Sequence, residues 1–345
     1  MKNLVYYLVK IWMKINLHLY YGKIKVSGLE NVPKDKPVLF LPNHQSALLD
    51  VLLIATDCNR KPWFLTRSDV FKSKTLISIF NFFQMIPIYR IRDGRDSLKN
   101  NQAVFDRCSE LLIQKEALLM FPEANHNLKR RVRPLSKGFT RILFNTLDKA
   151  SDTDIMIVPV GINYRNAVRF PDKVALYFDT PIAVKELYNP SDEKGSINKI
   201  KEAVSNRLKK LTTHIEDEET YEETIQQLDA RGVDYLNPEK VNNTLQNLSS
   251  GVDQNQKKIS IFGGISKALF TLLNLPMLLI WRTFGKPKVW EPEFMGTLRF
   301  AFALLTYPIY YGLVFTIVTL VFNPLIGSGA SLGLFVFNWL VVRLN

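Results

Sequence analysis

The chain is poor in cysteine. Two in 345 residues, Cys58 and Cys108, exclude a disulfide framework and suggest a reducing compartment or use as core residues. There is no CxxC pair, and the four histidines (His18, His44, His126, His214) lack zinc-ligand spacing, so no metal is expected. No cleavable leader is expected either. Residues 1–21 are apolar, but Lys2, Lys10, Lys14 and His18 interrupt them and no small-residue cleavage site follows. Acidic charge is scarce in the first part of the chain. Residues 1–150 hold 25 Lys and Arg against 12 Asp and Glu, which is the whole of the net charge of +13, and the remainder balances. No nucleic-acid motif accompanies this charge, so nucleic acid is not an expected partner. A basic surface also suits anionic lipid or phosphorylated substrates, and the long apolar runs further on favour lipid.

Apolar patterning divides the chain into four parts. Residues 1–23 read as an amphipathic helix lying in a membrane interface, with Trp12 and the tyrosines at headgroup level. Over 24–212, short strands (24–27, 38–41, 63–66, 85–90, 117–121, 155–160, 174–178) mostly alternate with helices (47–56, 75–83, 96–112, 136–147), and a helix over 198–213 ends the unit. That alternation predicts an α/β domain with a mixed, largely parallel sheet flanked by helices. Residues 213–258 read as a polar, acidic helical linker, with Glu216 to Glu223 solvated and the Asn- and Gln-rich 237–258 loosely packed. Residues 259–345 read as a membrane region. The runs 300–322 and 325–342 are long enough to cross a bilayer as a hairpin. The shorter 268–281, which contains Pro276, fits a re-entrant or interfacial segment. Arg282, Lys286, Lys288, Arg299 and Arg343 flank the hairpin, and the loop between its runs has no Lys or Arg. Both ends of the hairpin, and the domain before it, are therefore expected on the cytoplasmic side of the cell membrane.

The stretch Leu39 to Asp50 carries the most chemistry. An apolar strand delivers Pro42-Asn43-His44, and a helical run follows with one acid, Asp50. A histidine at such a corner with a carboxylate to fix its tautomer is a base with its orienter. The plain alternative is a solvated turn histidine and an acid favoured by the helix dipole. Three other stretches put polar groups at strand ends. They are Tyr89-Arg90-Ile91-Arg92; Phe121-Pro122-Glu123-Ala124-Asn125-His126, followed by Lys129 to Arg133, Lys137 and Gly138; and Val158-Pro159-Val160-Gly161. The carboxyl ends of parallel strands line one edge of a sheet, where ligands bind. The four stretches are thus expected to converge as a base, two cationic sites, an acid and an apolar wall.

In order and spacing these blocks, with Gly28-Leu29-Glu30-Asn31-Val32-Pro33 before them, resemble the glycerolipid acyltransferase family of the lysophosphatidic acid acyltransferase type, over roughly residues 20–212. The resemblance implies acyl transfer from a thioester, acyl-CoA or acyl-carrier protein, to the hydroxyl of lysophosphatidic acid in phospholipid synthesis. Glycerol-3-phosphate, another lysolipid or an aminolipid are alternative acceptors, and a non-catalytic lipid-binding membrane protein is the alternative of another class. By the same resemblance, His44 is the general base and Asp50 its support. Arg90 binds the acceptor phosphate, Glu123 binds the acceptor, and Pro159 borders the acyl or acceptor pocket. Asn43, Arg92, Ala124, Asn125 and Lys137 lie in the same blocks and are expected to line the substrate site. The reaction calls for no metal or other cofactor beyond the acyl donor as co-substrate. Two departures stand out. Five residues separate His44 from Asp50 where the family has four, so the turn must absorb one, because on a regular helix one residue rotates a side chain by roughly 100°. Ala124 stands where the family has Gly, which is tolerated at negative φ. The basic loop Lys129 to Arg133 reads either as a solvated charge run or as a contact for lipid headgroups or carrier phosphates, and His126 as a loop residue.

Overall fold

The computed structural model describes residues 2–71, 73–89, 99–248 and 261–344. A first helix, α1 (Lys2–Tyr20), leads into β1 (Lys23–Ser27) and β2 (Val38–Pro42). Then come α2 (Ala47–Asp57), β3 (Trp63–Arg67), α3 (Lys74–Phe82), β4 (Met85–Ile88), α4 (Asn101–Ile113), β5 (Ala117–Leu119) and α5 (Gly138–Lys149). Strands β6 (Met156–Tyr164), β7 (Lys173–Phe178) and β8 (Ile182–Ala183) and helix α6 (Glu193–Leu211) complete the domain. The sheet order is β1-β7-β6-β2-β5-β3-β4, with β8 beside β6. The pairs are parallel except β6 with β7 and with β8, so the sheet is mixed and mostly parallel, as expected.

Strand β2 is buried along its whole length because its alternate residues enter two different cores. Leu39 and Leu41 pack with α4, α5 and α6 on one face, through Phe105, Leu112, Phe139, Ile142, Val204 and Leu208. Val38 and Phe40 pack with α1 and α2 on the other, through Leu17, Tyr20, Leu49, Leu53 and Ile54. Cys108 belongs to the first core and Cys58 to the second, so they are separate free thiols. Gly161 lets β6 meet the end of α6, since a Cβ there would lie 2.3 Å from the Leu211 carbonyl oxygen.

Helix α1 turns Leu17, Tyr20, Lys10 and Lys14 toward the domain and leaves a second set of apolar residues outside. Lys14 pairs with Asp57 at 2.8 Å and Lys10 donates to the Cys58 carbonyl at 2.8 Å, while Leu4, Leu8, Ile11, Trp12 and Ile15 are exposed. An exposed apolar face of this kind suits a lipid surface.

Three sequence expectations need correction. Strand β6 continues four residues beyond 160, to Tyr164, because its second half pairs with β7. The helix expected from 198 begins at Glu193, where Asp192 caps it by accepting from the Gly195 N–H. Residues 213–248 are not a loose linker. Helices α7 (Tyr221–Ala230) and α8 (Pro238–Gln246) close over a small core of Ile215, Tyr221, Leu228, Tyr235 and Val241. That unit docks on the basic loop. Arg130 lies 3.6 Å over the Tyr235 ring, and its backbone N–H donates to the Tyr221 hydroxyl at 2.8 Å. The acidic run is therefore partly spent on local pairs, Glu218 with Lys129 and Arg131, and Glu216 with Lys209 and His214.

The last part comprises α9 (Ile261–Leu273), α10 (Leu275–Ile280), α11 (Met295–Val321) and α12 (Pro324–Leu344). By length and composition 292–321 and 324–344 are each able to cross a membrane. Residues 264–273 and 275–288 bend by 78° at their junction, Asn274, rather than at Pro276. Asn274 and Asn338 exchange side-chain hydrogen bonds of 2.8 and 2.9 Å, which ties the bend to α12 through buried polar groups.

Candidate active site

Asp50 meets His44. His44 Nδ1 lies 2.7 Å from Asp50 Oδ2, despite the extra residue. The turn absorbs it at Ala47, whose φ of +37° kinks the chain as α2 begins. The same Oδ2 accepts from the Gln45 and Ser46 backbone N–H groups at 2.8 Å each, and Tyr164 donates its hydroxyl to Oδ1 at 2.6 Å. The carboxylate is fully buried with four donors around it, the condition under which a buried charge is tolerated. Burial, and then the neighbouring Asp50, push the Tyr164 hydroxyl well above its ordinary range, so it keeps its proton and stays a donor. Asp50 accepts only, so Nδ1 of His44 carries the proton and Nε2 is left basic. The ring stacks on Phe121 with centroids 3.7 Å apart and planes 15° from parallel. Neither Tyr164 nor Phe121 was singled out from sequence as a site residue. Tyr164 lies beyond the fourth block and beyond the strand expected over 155–160, so no local signal marked it.

Glu123 follows β5 and is buried against Arg133, whose Nε lies 3.0 Å from Oε2. Burial pushes its carboxyl up to about 7, against the pull of Arg133. Asn43 is engaged with β6. It donates to the Ile162 carbonyl at 3.0 Å and accepts from the Ile162 N–H at 2.7 Å, so it positions the corner. Asn125 is exposed, and its carbonyl accepts from Arg133. Lys137 is exposed at the start of α5, and Pro159 is buried within β6 beside Leu41. Arg90 and Arg92 lie outside the described residues. Ala124 has a φ of +62°, contrary to the negative value under which a methyl is harmless. Replacing Ala124 by Gly is expected to stabilise the protein by about 0.5–1 kcal/mol, the left-handed penalty less glycine's greater unfolded-state entropy. Thermal unfolding checks this, and a lower midpoint for the variant would count against it.

His126 is a loop residue, as expected, but not a solvent-facing one. It is buried, edge-on to the His44 ring at 5.5 Å, and its Nε2 lies 2.7 Å from Glu291 Oε2. Phe294 packs on it at 5.0 Å, and Gly296 opens α11 close against Leu49 and Ser46. The segment leading into the first long apolar helix is thus a wall of the site, which sequence reasoning treated only as an anchor. A carboxylate 165 residues from its histidine leaves no local pattern. His126, Glu291 and Glu293 have ligand atoms within 4.8 Å of one another. Two of the three are glutamates on the short segment before α11, and acidic groups at a surface commonly gather in this way without an ion.

The arrangement is a basic imidazole nitrogen backed by a buried carboxylate, at the carboxyl ends of parallel strands, beside an acid held by arginine. The family described as Acyltransferase matches residues 23–163. The chloroplastic 1-acyl-sn-glycerol-3-phosphate acyltransferase BAT2 of Brassica napus is 27% identical over 160 residues, which are 46% of this chain and 42% of that protein. Glycerol-3-phosphate O-acyltransferase 1 of Saccharomyces cerevisiae is 27% identical over 126 residues, 35% of this chain and 17% of that protein. The crystal structure of the 1-acyl-sn-glycerophosphate acyltransferase PlsC from Thermotoga maritima overlaps 60% of this chain and 81% of that one, at 19% identity and a TM-score of 0.42. Residues 23–163 of this chain are thus similar to the Acyltransferase family. The chain spans about two fifths of the length of the chloroplastic relative.

Proposed function

We propose that the protein is a membrane-anchored O-acyltransferase that moves a fatty acyl group from a thioester, acyl-CoA or acyl-carrier protein, to the hydroxyl of lysophosphatidic acid. The observation that carries this reading is the His44–Asp50 pair, which leaves Nε2 of His44 as the base. His44 takes the proton of the acceptor hydroxyl as its oxygen attacks the thioester carbonyl. The tetrahedral intermediate expels the thiolate of the carrier, which receives the proton back from His44. Asp50 supports the imidazolium formed between the two steps. The names of the relatives favour lysophosphatidic acid, with glycerol-3-phosphate as the second acceptor. Membrane attachment is through α11 and α12, with the exposed apolar face of α1 against the lipid. The cations around Arg282 to Arg299 and at Arg343 favour the cytoplasmic side for the catalytic domain.

The test is transfer by the purified full-length protein in phospholipid vesicles. Lysophosphatidic acid, glycerol-3-phosphate and other lysolipids are each supplied with acyl-CoA and with acyl-carrier protein. Fastest turnover of lysophosphatidic acid is expected. Turnover confined to glycerol-3-phosphate would reassign the acceptor, and no turnover with any pair would leave a lipid-binding protein.

A further inference from the structure

Where α9, α11 and α12 meet the end of α1 they enclose a cavity of about 270 Å³. Every residue lining it lies outside the stretch 23–163 that matches the family. Phe300, Leu304, Tyr307 and Tyr311 face it from α11, and Phe335 and Trp339 from α12. Their spacings of three and four put each set on one side of its helix. The polar side chains beside the cavity are spent on each other. Asn338 donates to Asn274 Oδ1 at 2.9 Å and to the Tyr311 hydroxyl at 3.1 Å. The cavity therefore suits hydrocarbon. Most of its lining comes from α11 and α12, the two segments able to cross a membrane, so what reaches it comes from the bilayer.

On the domain side the cavity is bounded by packed rings. The Tyr20 ring centroid lies 5.1 Å from that of Phe170 and 5.3 Å from that of Phe300. Tyr20 and Phe300 are buried in the same core as Leu49. The Tyr20 hydroxyl donates to the Gly296 carbonyl at 3.5 Å, and Phe300 lies about one turn of α11 beyond Gly296. The rings thus stand between the cavity and the turn of α11 that walls the active site.

We propose that this cavity holds one hydrocarbon chain of a bilayer phospholipid, distinct from the chain that reacts, and that the chain seats the first turns of α11 and with them the wall of the active site. The proposal rests on membrane attachment through α11 and α12 and goes beyond it. A chain already in the bilayer gains nothing from leaving water. The void drives it in, because an unfilled cavity forfeits the dispersion contacts of its lining. An apolar cavity of about 150 Å³ takes one benzene ring, so this one takes about ten carbons of a chain.

The test is to move the full-length protein from phosphatidylcholine vesicles into detergent and count the phospholipid it retains by native mass spectrometry. One retained molecule is expected for the wild type. Ala303→Phe puts a ring into the cavity and is expected to lower retention at least about tenfold. Leu320→Phe, at a lipid-facing residue outside the lining, is expected to keep it. The wild type alone supplies a second measurement. After lipid is stripped, phosphatidylcholine with chains longer than about ten carbons should raise its thermal midpoint more than shorter-chained lipid does. The same long-chain lipid should restore the kcat lost on stripping in the wild type and not in Ala303→Phe. No retained lipid in the wild type, equal retention by the two variants, or a midpoint indifferent to chain length overturns the site. Retained lipid with kcat unmoved by stripping overturns its link to the active site. Displacement of the retained lipid by lysophosphatidic acid or acyl-CoA near their KM would make this the reacting chain's own pocket and overturn the proposal as well. Retention is read without substrate, so failure of the acyl-transfer reading and failure of the site are told apart.

Discussion

His44→Ala is expected to lower acyl transfer by about 10²–10⁴-fold, the usual contribution of a positioned general base. The fold should survive the change. Asp50 would keep three donors, the Gln45 and Ser46 N–H groups and the Tyr164 hydroxyl, so no buried charge is orphaned. What is lost is one hydrogen bond and the stack on Phe121, together about 1–3 kcal/mol. Turnover and thermal unfolding measured on the same preparation separate the two effects. A large fall in rate with a modest fall in midpoint is the expected pair.

Asp50→Asn is expected to cost part of the about 10²–10⁴-fold that a positioned general base contributes to kcat, because the amide neither fixes the His44 tautomer nor offsets the charge its ring gains with the proton. The carboxamide oxygen can still accept from Gln45, Ser46 and His44. Its NH2 then faces the Tyr164 hydroxyl, which can turn and accept. Asn is therefore the informative substitution. A leucine at the same place would strand two buried N–H groups and a hydroxyl, and each such group costs about 1–3 kcal/mol. Steady-state kinetics on the two variants check the order of effects. An Asp50→Asn protein with wild-type kcat would show that the carboxylate only holds the corner in shape.

The sheet was legible because its strands are short, apolar and separated by turn signals, and because helices alternate with them. The His44 corner was legible for the same reason, since a strand, a turn and a helix place one histidine at a strand end. Whether Asp50 could reach it was not legible. The answer depends on a single backbone angle at Ala47, and an alanine carries no sign of positive φ. Ala124 hid the same conformation at a place where glycine would have announced it. Tyr164 was hidden because the antiparallel half of β6 follows from pairing with β7, a contact between segments that no local pattern encodes. Residues 213–248 looked like a linker because their core holds only five buried apolar residues, spread among acids and amides. They also dock on Arg130 and the loop they cover, contacts that join distant segments. The wall formed by Glu291, Phe294 and Gly296 is also long-range, and an apolar run read for its length says nothing of what its first turn touches.

The central claim is that Nε2 of His44 takes the proton from the acceptor. The most direct measurement is release of free thiol from acyl-CoA by full-length protein in phospholipid vesicles, with and without lysophosphatidic acid, for the wild type and for His44→Ala. Release that depends on lysophosphatidic acid in the wild type and falls by at least about 100-fold in the variant is the predicted result. Release at the wild-type rate by a folded His44→Ala protein would contradict it.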